Sequence, residues 1–154
     1  MDRSAGVLWQ LNQAYVHRLA RAHVYAGLLE AIAIERDGRP QGGAGPTLSA
    51  AREALASMLE DHRLWRHQFL YTSPVSKRIV QDETAANRAL AQFTRMRTRH
   101  DHALNALWLN LDAAPRLDPV LTAVPGGDLW ELFAGALADL LNFDQEARTI
   151  LPPA

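Results

Sequence analysis

The chain has 154 residues, 48% of them hydrophobic and 21% charged, with a formal net charge of -1 and a pI near 6.6. That length suits one domain with a sizeable core, and the near-neutral balance excludes the global basic field of a nucleic-acid-binding surface. The absence of cysteine excludes disulfides, thiolate metal sites and a cysteine nucleophile.

The N-terminal stretch MDRSAGVLWQLNQAYVHRLARAH interrupts its apolar residues with polar ones and carries no small-residue cleavage site, so it does not read as a secretory signal. No apolar run approaches the roughly 20 residues that span a bilayer. A soluble, cytoplasmic protein with no membrane partner is expected. Leu8, Leu11, Tyr15, Leu19, Ala22, Ala26, Leu29 and Ala33 recur at steps of three and four, which predicts a long first helix over residues 4–36. DGRPQGGAGP stops it, because Gly and Pro do not continue a helix. This stretch lacks the GxxxxGK[ST] pattern of a phosphate cradle and reads as a flexible connector over residues 37–46.

Thr47 is a reasonable N-cap for a second helix over 47–71, with Ala51, Leu55, Met58, His62, Trp65 and Phe69 on its seam. Pro74 ends it. A long third helix is expected over 75–112, with a restart near Asp82 and a seam through Ile79, Ala86, Leu90, Phe93, Arg97 or Met96, His100, Leu104, Leu107 and Leu111. DAAPRLDPVLTAVPGG, with three prolines, breaks the pattern. The last helix is expected over 128–150: Asp128 and Glu131 form a capping-box-like start, and Leu129, Phe133, Ala136, Leu140, Phe143 and Ala147 its inner face. Strand signals are weak throughout. The pattern predicts an all-α, single-domain four-helix bundle, up-down-up-down, with long first and third helices.

Little in this pattern announces chemistry. Two histidines, His62 and His100, fall on apolar seams. If the first two helices are antiparallel, His23 and His62 lie at similar heights, and Glu30 or Asp61 joins them as a set of ligands for a divalent metal ion. Counting back from the turn between the second and third helices leaves His100 more than a turn away from that level. The Glu-x-x-His pair of di-iron bundles and the HExxH motif are both absent.

The stretch RTRHDHALNAL, residues 97–107, offers a different chemistry. Arg95 with His100, and Arg97 with His102, show a spacing that resembles the Arg-x4–6-His pattern of helical RNases of the HEPN kind. That resemblance implies an arginine on a phosphate and a histidine acting as acid or base. Arg18 and His23 match the same spacing. The plainer reading makes Arg95, Arg99, Asp101 and His102 a solvated helix face, while Arg97 and His100 share the seam. A buried Arg97 needs a carboxylate from another helix, with Glu60, Glu83 and Glu131 as the nominees.

Fifteen of the 16 Lys and Arg residues are arginine, a composition of the kind a GC-rich bacterial genome encodes. Trp9, Trp65, Trp108 and Trp130 fall one to each helix, and alanines on the seams permit close helix approach. The apolar faces are wide enough for a second chain, so a homodimer or a protein partner is expected and nucleic acid is not. The leading expectation is a non-enzymatic interaction or regulatory module. The alternatives are a metal-binding or metal-dependent bundle and a phosphate- or RNA-handling bundle using residues 95–102.

Overall fold

The structure, a computed structural model, describes residues 3–37, 45–70, 83–117 and 127–150. All of their regular structure is helical. It consists of α1 (Arg3–Asp37), α2 (Gly45–Trp65) continuing into a π segment (Arg66–Leu70), α3 (Glu83–Leu117), α4 (Gly127–Leu141) and α5 (Phe143–Ile150). Most of the connector expected over 37–46 lies outside the described residues, as does the stretch 75–82 with which the third helix was expected to begin. No helix among the described residues is long and apolar enough to cross a membrane.

The predicted seam of α1 is its buried face: Leu8, Leu11, Tyr15, Leu19, Ala22, Ala26 and Leu29 are all removed from solvent. Each leucine there contributes about 1.5–3 kcal/mol by leaving water, and α1 packs against α2, α3, α4 and α5 alike. Arg52 donates to Glu30 at 2.7 Å, while Tyr15 lies against His62, with ring centroids 6.0 Å apart. These contacts join the end of α1 to the start of α2 and the reverse, so the pair is antiparallel. The pairs Asp61–His100 and Trp65–Phe93 make α2 and α3 antiparallel as well. Arg21–Asp139 and Tyr15–Phe143 do the same for α1 and the α4–α5 pair.

Pro46 stands in the first turn of α2, where its missing N–H costs no helical bond. The buried seam of α2 runs through Ala51, Leu55, Met58, His62 and Trp65, then steps to Leu70 instead of the expected Phe69, which is only half-buried. The π segment explains the step, because its i→i+5 turn places the residue five positions on, not four, beneath Trp65. Trp65 itself donates Nε1–H to the Ala89 carbonyl at 3.0 Å, tying α2 to α3.

Two boundaries differ from expectation. α3 continues to Leu117, through Pro115. Pro115 falls in the closing turn, where its missing N–H removes only one bond of the ladder. The last helix is two: Asn142 interrupts it, its N–H closing α4 on the Ala138 carbonyl at 2.9 Å and its own carbonyl accepting from Gln145 at 3.1 Å. Asn competes for local backbone bonds and favours a helix start over an interior. Restarting there points Phe143 into the core and brings Asp144 to α3.

Candidate functional site

The core holds one concentration of polar side chains, centred on Tyr15 of α1. His100 of α3 stands beside it, the two rings nearly parallel at 16° with the Tyr15 hydroxyl 2.6 Å from Nδ1. The other ring nitrogen, Nε2, is 3.1 Å from Asp61 Oδ2 of α2. A carboxylate only accepts, so Nε2 carries the proton and donates to Asp61. Burial lowers the His100 pKa against the opposing pull of Asp61, with Arg99 and Arg97 adding to the lowering. The neutral ring leaves Nδ1 as an acceptor, and the Tyr15 hydroxyl donates to it. Burial pushes the Tyr15 pKa up despite nearby Arg97, so the phenol keeps its proton. The result is a line of bonds from a fully buried hydroxyl to a half-exposed carboxylate.

His62 packs between Tyr15 and Trp65, its ring 6.0 and 5.7 Å from theirs. Only 1% of it is exposed, and its Nε2 has no hydrogen-bond partner. Burial, reinforced by Arg66 and His100, lowers its pKa to about 4. It is a neutral core histidine at physiological pH. Asn12, one turn before Tyr15 on α1, is fully buried with neither side-chain polar atom bonded.

Arg97 lies on the other side of Tyr15, its side chain 5% exposed. The guanidinium lies against two adjoining aromatic rings, 5.1 Å from the Tyr15 centroid and 4.9 Å from that of Phe143, a favourable cation–π arrangement. Nη1 donates to Asp101 and Nη2 to Asp144, each at 2.9 Å, while Nε has no partner. Burial works against the charged form, but the bond to Asp144 and the field of Asp101 outweigh it, and the pKa is raised. Asp101 moves the other way from a surface acid: burial raises its pKa against Arg97, and Asp144 adds to the rise.

The carboxylates that neutralise Arg97 are thus Asp101 and Asp144, not Glu60, Glu83 or Glu131. Asp101 follows Arg97 by one helical turn, and Asp144 reaches it because the chain restarts at Asn142. Glu60 is taken by Arg63 on its own helix, at 2.9 Å. Of the residues expected to act on a phosphate, Arg97 and His100 are buried within this network, while Arg95 and His102 are exposed. Asp101 leaves the expected solvated face to serve Arg97.

Of the residues expected to hold a metal, Asp61 and His62 share the level of Tyr15, while His23 and Glu30 lie further along α1. Asp61 bonds His100, and Glu30 bonds Arg52, which with Ser49 keeps its carboxyl below the usual range despite burial. His23 is two turns beyond Tyr15, about 12 Å along α1, and His62 lies level with Tyr15. Among the described residues no group of three or more His, Asp or Glu is gathered where it could hold an ion. His100 stands level with Asp61 and His62, contrary to the count from the turn. That count required uniform rise on both sides, whereas α2 ends in the π segment.

Two grooves open beside the network. One, of about 340 Å³ between α2 with its π segment and α3, is lined by Asp61, Trp65, Gln68, Gln92, Met96 and Arg99. The other, of about 280 Å³ between α3 and α5, has Arg97 and Phe143 in its wall and Asp144 and Arg148 with them. No protein-family model, curated protein or solved structure matches the chain.

Proposed function

We propose that the protein is a non-enzymatic, single-domain helical module that acts by associating with a second copy of itself or with a protein partner. α1, α2, α3 and the α4–α5 pair supply the four arms of an up-down-up-down bundle, working in the cytoplasm. The reading is carried by where the exposed large apolar side chains fall. Val24 and Leu28 of α1, Trp108 and Leu109 of α3, and Leu132 of α4 are all open to solvent, Leu109 to 73%, while Leu64 of α2, also exposed, stands apart from them. The Arg21–Asp139 pair sets the register of α1 on α4 and puts Leu28 level with Leu132. The Arg97–Asp144 pair sets that of α3 on the last two helices and puts Leu109 at the same height.

Scattered exposed leucines are ordinary, whereas several at one level on three mutually packed helices favour an interface. Homodimers are the commonest assembly of soluble chains. The polar core supports the reading from the other side, since both nitrogens of His100 are already bonded within the chain.

Sedimentation velocity across a dilution series tests this, comparing the native chain with Leu28→Glu/Leu109→Glu. Association of the native chain and a monomeric double variant of unchanged helicity is the expected result. A native chain that stays monomeric and gains no partner in pull-downs that the double variant loses overturns it.

A further inference from the structure

The groove between α3 and α5 contains an unfinished recognition element. In a guanidinium, Nε–H and the neighbouring Nη2–H lie along one edge and match the two oxygens of a carboxylate. In Arg97 that edge is half used. Asp144 accepts from Nη2 at 2.9 Å, and Nε is buried without a partner. The geometry is that of a carboxylate site filled by a carboxylate that reaches only one of its two donors. Asp144 is itself 69% exposed, so it can turn to water at little cost, whereas Arg97 cannot. The Arg97 cation stays in place without it, held by Asp101 and by the Tyr15 and Phe143 faces.

Apart from Thr94, Asp144 and Arg148 the rest of the groove is apolar. Leu11, Leu90, Phe93, Phe143 and Ala147 form its walls, with Arg148 as a second cation. Its volume of about 280 Å³ is at the small end for a ligand site. We propose that this groove binds a small monocarboxylic acid with a compact apolar body, whose carboxylate spans Nε and Nη2 of Arg97 and displaces Asp144. A short branched or aryl-substituted acid meets these demands: one full negative charge, and a compact body that rests against the groove-facing edges of Phe93 and Phe143, whose ring centroids are 6.2 Å apart, beside Ala147. The site stands apart from the apolar end used for association and does not depend on it.

The test is titration of the full-length protein with phenylacetate. The Arg97 Nε–H resonance is followed by NMR and Tm in parallel. Phenylacetamide (no charge) and acetate (no body) serve as controls. Saturable binding of phenylacetate, a shift of the Arg97 Nε–H signal and no response to either control are expected. Asp144→Asn removes the competing carboxylate and tightens binding roughly two- to fivefold, the factor for a largely exposed ion pair. Ala147→Trp fills the groove from the half-exposed side of α5 and abolishes binding without touching Arg97. Equal binding of the amide, no saturable response to phenylacetate, or weaker binding by Asp144→Asn overturns the proposal.

Discussion

Replacing Tyr15 by Phe removes one oxygen atom from the centre of the core. The hydroxyl is fully buried and its bond to His100 Nδ1 is 2.6 Å long. Two effects oppose each other. The phenylalanine no longer has a hydroxyl to desolvate, which favours the variant. The acceptor Nδ1 is left in the core with no donor, at a cost of about 1–3 kcal/mol. The second effect wins, because the ring keeps its contacts with Phe93 and Phe143 while the orphaned lone pair has no route to water. A loss of about 1–2 kcal/mol is expected, a fall in Tm of roughly 3–6 °C for a chain of this size. In a His100→Leu background the same change should cost under about 0.5 kcal/mol, since no acceptor remains to be orphaned. Urea unfolding of the four members of this cycle measures the coupling directly. An equal cost in both backgrounds, or none in either, refutes the assignment of the bond as a structural tie between α1 and α3.

Three further outcomes follow from the same core. In the folded chain His62 stays neutral down to about pH 4, whereas unfolding restores its ordinary value of 6.5. The unfolded state therefore takes up the extra proton, and stability falls as pH drops through that window, by about 3 kcal/mol at its full extent. His62→Leu should lose less stability than the native chain between pH 6.5 and 4 in urea titrations. Both polar atoms of Asn12 are buried without partners, so Asn12→Leu should raise stability by about 1–2 kcal/mol, read as a higher Tm. Asp101→Ala with Asp144→Ala strips the buried Arg97 of its carboxylates and should cost about 3–5 kcal/mol, while Arg97→Met restores most of it. Urea midpoints of the double and triple variants check the pair.

The helices themselves were legible because their apolar steps are regular: every seam residue named for α1 up to Leu29 is buried. The π segment was not, since a single five-residue step from Trp65 to Leu70 resembles ordinary drift of the apolar face. The break at Asn142 was hidden for the opposite reason. Leu140, Phe143 and Ala147 keep helical spacing across it, so the period alone runs straight through. Asn142 followed by Asp144, Gln145 and Glu146 is a start signal in its own right, and weighting it over the period would have found α5 and with it the partner of Arg97. Periodicity correctly put Arg97 and His100 on the buried seam. It could not supply the heights of neighbouring helices, on which the grouping of Tyr15, Asp61, His62 and His100 depends. Tyr15 was read only as a seam residue, although a tyrosine among leucines carries a hydroxyl that must find a partner once buried.

The central claim is that the Tyr15, His100 and Arg97 network holds the fold while the exposed leucines of α1, α3 and α4 mediate association. Methyl NMR spectra recorded on dilution test it most directly. The account predicts that Leu28, Leu109 and Leu132 shift as the protein associates, while the Arg97 Nε–H and the methyls around Tyr15 stay fixed. Shifts centred on Arg97 and Tyr15, with Leu28, Leu109 and Leu132 unmoved, contradict it.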